Sequence, residues 1–238
     1  MHTIESYWAN EMNTIEGGFE KSMLEPLQLI NRFQKENKIG GSVMEIGVHH
    51  GKFFIPLMLL TEKGESAVGI DIFEDQEKNI DDSGKGDLEI VQSNIERLRN
   101  PWNKVDLIKR DSLTLNALDK VELLQKYGPF RIVSIDGVHT VYHTVNDLLF
   151  AQDVMQGGGV VLVDDYTNIH WPGVHEGVAH FFLENTPKIR VFASARNKLF
   201  LTDLTYYRRY FNLFHEAFCN ARSFKKVRLW NSETLVFL

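Results

Sequence analysis

Two apolar segments of the chain end in acids, Ser134-Ile135-Asp136-Gly137-Val138-His139 and Val163-Asp164-Asp165-Tyr166. Carboxylates brought together at neighbouring strand ends repel one another unless a cation lies between them, and hard oxygen donors suit magnesium, calcium or manganese. Asp136, Asp164 and Asp165 are therefore the expected ligands of a divalent metal. The plainer reading is that Asp165 caps a turn while Asp136 and Asp164 bind a cofactor amine or backbone amides. A second constellation is Glu45-Ile46-Gly47-Val48-His49-His50-Gly51. Gly47 permits a tight turn and Gly51 a close backbone approach at a helix start, a place where an adenosyl ligand can lie. His49 replaces the middle glycine of the dinucleotide fingerprint and no G-K-[ST] follows, so neither a nicotinamide site nor a phosphate loop is expected. About twenty residues beyond the turn comes Asp71, placed to accept hydrogen bonds from ribose hydroxyls. Asp111 and Ser112 end a further segment, where they either face an adenine amino group or cap the next helix.

Five histidines, His139, His143, His170, His175 and His180, crowd the same region. His139 and His143 are spaced to share a helix face, but without HExxH or a cysteine partner a dedicated zinc site is not expected. They read instead as pocket lining or helix caps. Trp171 is placed to flank a substrate, whereas Phe181 and Phe182 read as core. Arg208, Arg209, Arg222, Lys225, Lys226 and Arg228 form a basic cluster near the C-terminus. It reads as a solvated face, with a grip on a phosphorylated acceptor as the sharper alternative.

These residues need a scaffold, and the order of apolar runs supplies one. SVMEIG, AVGIDI, VDLIKR, FRIVSID and GVVLVDD are of strand length, apolar on both faces, and separated by helix-length segments such as Leu88 to Leu98 and Leu118 to Lys126. That pattern predicts a doubly wound α/β fold with a mostly parallel sheet between helices. KIRVFAS and NKLFLTD predict an antiparallel closing hairpin, giving seven strands, with residues 1–40 as a helical lead-in, 42–203 as the core and 204–238 as a helical C-terminal extension of one domain. The tail also contains two strand-like pieces, KVRLW and TLVFL. The 238 residues, 43% hydrophobic and 24% charged, suffice for a sizeable core. A formal charge of -6 argues against a broad grip on nucleic acid. The longest apolar run, Phe53 to Leu60, is too short for a membrane span. A single cysteine, Cys219, and an N-terminus with acids where a signal peptide needs a basic then apolar run predict a cytoplasmic protein.

The succession EIGVHHG, GIDIF, KRDS, SIDGVH and GGGVVLVDDY resembles the class I S-adenosylmethionine-dependent methyltransferases. More narrowly it is similar to the group containing the macrocin and aminocoumarin sugar O-methyltransferases and, more distantly, catechol O-methyltransferase. The resemblance runs from about Ser42 to Asp203. It implies that Glu45, Gly47 and Gly51 cradle the methionine part of S-adenosylmethionine, that Asp71 binds the ribose, and that Asp111 with Ser112 faces the adenine. It further implies that Asp136, Asp164 and Asp165 hold Mg2+ or another divalent cation, with Asp136 also touching the cofactor. His139 then stands where a proton acceptor for the substrate hydroxyl belongs. Val141, where many relatives have tyrosine, and Phe53, where a small hydroxyl residue is common, depart from the pattern. The implied activity is metal-dependent O-methylation of a sugar, nucleotide sugar or other hydroxylated small molecule, by a chain that can form a homo-oligomer. Two alternatives remain open at the level of sequence: a metal-independent methyltransferase with His139 as general base, and a non-catalytic adenosyl-binding or oligomerisation protein.

Overall fold

The computed structural model describes residues 1–18, 20–230 and 232–238. Helices α1 (Ile4–Asn10) and α2 (Leu24–Glu36) precede the sheet. Strands β1 (Ser42–Ile46), β2 (Ser66–Asp71), β3 (Lys104–Lys109), β4 (Phe130–Ile135) and β5 (Met155–Val163) then alternate with helices α3 (Phe54–Leu60), α4 (Leu88–Leu98), α5 (Ala117–Tyr127) and α6 (Val141–Val154). After α7 (Pro172–Glu184) come β6 (Ile189–Ala195), β7 (Lys198–Asp203), α8 (Tyr207–Phe218), β8 (Lys225–Leu229) and β9 (Ser232–Phe237). The expected α4 boundaries are met, and α5 runs one residue further at each end. α5 begins where the Asn116 side chain accepts from the Leu118 and Asp119 amides, and it stops at Gly128, whose φ of 71° few side-chain-bearing residues adopt.

The sheet runs in the order β3, β2, β1, β4, β5, β7, β6, β9, β8. The first five strands are parallel and β7 runs antiparallel to both β5 and β6, as the hairpin pattern predicts. Two strands are added to the expected seven. β9 pairs in parallel with β6, and β8 closes the edge antiparallel to β9. Without them β6 would present a row of unpaired backbone groups. The new edge carries Lys225, Lys226 and Arg228, charges that discourage further strand pairing. The strand order reverses between β2 and β4, on either side of β1, and in such sheets the crevice for a ligand opens beyond the carboxyl end of that strand.

Strand side chains alternate between two apolar layers. On one side Val43, Ala67, Ile132, Val160, Leu162 and Phe200 pack with α1, α2, α3, α4 and α8. On the other, Met44, Val68, Val133, Val161 and Leu201 pack with α6 and α7. The N-terminal segment is bound into the first layer: Tyr7 is fully buried and its hydroxyl donates to the Lys52 carbonyl at 2.6 Å. Buried Arg131 ties α2 to the sheet through Gln34 Oε1 at 2.9 Å and pairs with Glu65 at 3.2 Å. No described helix is long and apolar enough to cross a membrane.

Candidate active site

The period of two that builds the core also carries charge into it. Continuing from Val43 on β1, Ile132 on β4 and Leu162 on β5, the same face receives Glu45, then Ser134 and Asp136, then Asp164. Two residues before Phe200 on β7 it receives Lys198. Glu45 is 1% exposed, and neither of its carboxylate oxygens nor the adjoining Ser134 hydroxyl has a hydrogen-bond partner among the described residues. Burial first, and the Asp136 charge second, push its pKa well above the ordinary carboxylate value. Lys198 is also 1% exposed; it forms an ion pair with Asp164 Oδ2 and lies 4.2 Å from the centre of the Phe53 ring. Burial works against its charge, but Asp164 and Asp136 outweigh that effect and raise its pKa. Burial raises Asp164 to about 7 against the pull of Lys198.

Asp136, His139 and Asp165 form a separate group, each offering one donor atom within 4.8 Å of the others. His139 Nε2 lies 3.0 Å from Asp165 Oδ2 and 3.7 Å from Asp136 Oδ1, yet it is buried and makes no well-angled hydrogen bond to a described residue. Its ring stacks on Trp171 at 4.5 Å between centroids. Behind it, Asp81 Oδ2 is 2.8 Å from His139 Nδ1 and accepts from the His139 backbone N–H at 2.7 Å. Burial opposes a charge on the imidazole, but the carboxylates of Asp136, Asp165 and Asp81 prevail and push its pKa up to about 11. That shift favours the protonated ring in the metal-free protein. A ring nitrogen facing two carboxylates is a donor set that a hard or borderline divalent cation fits.

Of the three expected metal ligands, Asp136 and Asp165 belong to this group and Asp164 does not. Asp164 lies outside the group because its carboxylate is taken by Lys198 and by the Asp165 backbone N–H, which donates at 2.9 Å. Asp165 leaves the strand alternation through a left-handed turn, φ 56°, and Asn168 and Asn197 donate to its Oδ1 at 2.8 and 2.6 Å. His139 does not share a helix face with His143, since α6 begins beyond it with Thr140 as cap. The other histidines disperse. His143 pairs with the Thr140 hydroxyl at 2.7 Å, His175 stacks on Tyr166, and His180 sits between Glu176 and Glu184.

Two adjoining cavities meet at Gly47, His49, Ser83, Gly84 and Asp136. The narrower one, about 90 Å³, is lined by Asp71, Asp111 and Ser112. The wider one, about 470 Å³, is lined by Glu45, Asp136, His139, Asp164, Asp165, Trp171, Arg196 and Lys198. Gly47 has φ 85°, and a β-carbon there would overlap the Asp136 carbonyl, so the strand end can turn this close to β4 only without a side chain. Gly51, φ 88°, lines neither cavity and packs against Val91. Asp71 accepts from the Val48, His49 and Phe73 amides at 2.6, 2.8 and 2.6 Å, which fixes the glycine turn from beneath. Asp111 both lines the narrow cavity and accepts from the Leu113 amide at 2.9 Å. Of the aromatic pair, Phe181 is buried and Phe182 stacks on Trp230. None of the C-terminal basic residues lines either cavity; Arg208 pairs with Glu233, and Arg209 bonds to Asn37.

Sequence reasoning missed Lys198, Asp81 and Asp147. The first had a signal, a lysine opening the otherwise apolar run KLFLTD on the face shared with Phe200. Asp81 sits in a loop, where no periodicity marks it. Asp147, 1% exposed within α6, is raised to about 7 by burial beside Ser112.

A sequence model of the methyltransferase domain matches residues 44–166. No curated protein matches the sequence. Among solved structures, the O-methyltransferase NovP is similar at 15% identity and a TM-score of 0.58, over 76% of this chain and 78% of that one. The calicheamicin methyltransferase CalS11 is similar at 14% identity and 0.53, over 84% of this chain and 89% of that one. The MycE methyltransferase of the mycinamycin pathway, a structure in complex with Mg and SAH, is similar at 14% identity and 0.52 over 84% of this chain, which spans about half (53%) of it. These likenesses concern the fold. The domain match takes in the five parallel strands from within β1, both glycine positions and all the acidic strand ends, and by it the chain belongs to the methyltransferase-domain family.

Proposed function

We propose that the chain is an S-adenosylmethionine-dependent O-methyltransferase that uses a divalent cation and acts on a hydroxylated small molecule, with a sugar carrying neighbouring hydroxyls as the favoured acceptor class. The observation that carries this reading is the Asp136, His139 and Asp165 group, set in the wide cavity where it joins the narrow one. The narrow cavity suits the adenosine part of the donor, with Asp71 at the ribose and Asp111 and Ser112 at the base. The junction at Gly47 suits the methionine part, and Glu45, which lines the wide cavity, would offer it a hydrogen-bonding group. NovP is an O-methyltransferase, CalS11 a calicheamicin methyltransferase and MycE a methyltransferase solved in complex with Mg and SAH, all consistent with this class.

Methyl transfer is an in-line displacement at carbon by an oxygen nucleophile, and the sulfonium already provides a good leaving group. The protein's task is therefore to orient the acceptor hydroxyl and ease its deprotonation. Asp136, His139 Nε2 and Asp165 would hold Mg2+ or Mn2+, which supplies Lewis acidity to a nearby hydroxyl. Trp171 and the Asn168 and Asn197 amides fix the ring and the Asp165 carboxylate, so these donors meet the acceptor without reorganising. Lys198 keeps Asp164 neutralised, which limits the net negative charge near the reacting oxygen.

Calorimetric titration of the apo protein with S-adenosylhomocysteine and, separately, with Mn2+ tests the reading, followed by methylation assays on a panel of vicinal diols with and without chelator. Both ligands are expected to bind, Asp165→Asn to weaken Mn2+ at least tenfold while sparing S-adenosylhomocysteine, and chelation to stop turnover. Full methylation in excess chelator would refute the metal's part.

A further inference from the structure

Helix α6 carries a carboxylate that the acidic strand ends do not use. Asp147 is 1% exposed. Burial raises its pKa to about 7 against the pull of the Ser112 and Asn146 side chains, the Asp111 carboxylate adds to the rise, and no cation is among the groups that act on it. Its surroundings form the back wall of the narrow cavity. The Asn146 side-chain amide bridges the helix to the turn after β3, donating to the Ser112 carbonyl at 2.8 Å and to Asp147 Oδ1 at 3.3 Å. Oδ2 would lie 3.6 Å from a β-carbon on Gly137, and both Gly137 and Ser112 line that cavity. An acid buried this deeply without a counter-ion costs stability, and such groups concentrate where a ligand is recognised.

A hydroxyl has one proton and two lone pairs, so what it offers a ligand depends on where the proton goes. We propose that Asp147 is a positioning residue for donor recognition: it takes the Ser112 hydroxyl proton from behind, so that the oxygen shows the narrow cavity lone pairs alone and selects a base with an amino group over one with a carbonyl at that place. The proposal rests on the narrow cavity being the adenosine site, and adds the direction in which the Ser112 hydroxyl donates. Adenine presents an N–H donor at its 6-position. Hypoxanthine, its deaminated form, presents a carbonyl oxygen there, and two acceptors facing each other in a desolvated cleft leave both unpaired. A site built around a hydrogen bond rejects the analogue that cannot make it far more strongly than shape alone does.

Calorimetry on the full chain compares S-adenosylhomocysteine with S-inosylhomocysteine, the analogue carrying hypoxanthine, at about pH 8.5, where Asp147 is ionised. The unaltered protein is expected to prefer the adenosyl ligand by about thirtyfold or more. Asp147→Asn keeps the shape of the side chain, and Ser112→Ala removes the hydroxyl. Each is expected to cut the preference about fivefold or more, chiefly through weaker adenosyl binding. The double variant should cut it no further than Ser112→Ala does, since both act through one hydroxyl. A merely structural role would weaken the two ligands by the same factor and leave the preference intact. That result would overturn the proposal, as would a preference unchanged in Ser112→Ala or a double variant that multiplies the two single effects. If the unaltered protein binds neither ligand, the adenosine site fails and the proposal with it; binding of S-adenosylhomocysteine with no preference over the inosyl ligand overturns the proposal alone.

Discussion

Replacing Lys198 with methionine keeps most of the side-chain volume and removes the one cation that faces Glu45, Asp136 and Asp164 from β7. The ion pair it breaks is deeply placed, with the lysine side chain 1% exposed and the Asp164 side chain 14% exposed, so solvent screens little of the loss. Removing one partner of such a pair leaves an uncompensated charge and costs about 3–5 kcal/mol. For a chain of this size each kcal/mol shifts the melting temperature by about 2–4 °C, which places the Lys198→Met variant about 6–20 °C below the unaltered protein. The deficit has a pH signature. Asp164 already has its pKa raised to about 7 with the lysine present, and the raised value means that the folded chain binds a proton the unfolded chain releases. Protonation therefore relieves the strain as pH falls, and the variant's deficit should be largest near pH 8–9 and shrink toward pH 5. Thermal denaturation followed by circular dichroism measures both quantities. The double variant Lys198→Met, Asp164→Asn, which removes the orphaned charge, is expected to recover at least half of the loss. A single variant melting within 2 °C of the unaltered protein, or a double variant no more stable than the single, would refute the account of the buried pair.

Gly47→Ala should abolish S-adenosylhomocysteine binding and lower the melting temperature in the same assay, since its φ of 85° and the adjacent Asp136 carbonyl leave a methyl group no room. Asp71→Asn replaces an acceptor of three backbone N–H groups by one with a single acceptor atom. At about 1.5–3 kcal/mol for a hydrogen bond to a charged group, calorimetry should show donor affinity falling at least tenfold. His139 has its pKa raised to about 11, so cation binding at Nε2 displaces a proton, and Mn2+ affinity should rise about tenfold per pH unit between pH 7 and 9. A flat profile would exclude His139 as a ligand. By the same shift the imidazolium's contribution to the metal-free fold is complete below about pH 6.5 and is lost as pH climbs toward 11.

The parallel core and the residues at its strand ends were legible because both are written in short-range pattern. Apolar runs of strand length separated by helices imply the sheet, and the residue at which each run stops is placed at the crevice by topology alone. Pairing is less visible, because it depends on which neighbour a strand edge finds. KVRLW and TLVFL read as strand-like, but only the open edge of β6 decides that they enlarge the sheet. The same limit hides the partners of the acidic strand ends. Asp136, Asp164 and Asp165 are adjacent as strand ends. The alternation of β7, which brings Lys198 to the face of Asp164, lies 34 residues further along the chain, and the left-handed turn at Asp165 has no marker residue such as glycine. Asp81 is the extreme case, since loop residues obey no period and its partner is defined only by closure. A site assembled from strand ends can thus be located from sequence. The protonation and orientation of its groups come from the side chains that face them across the fold, and here Lys198 faces Asp164 and Asp81 faces His139.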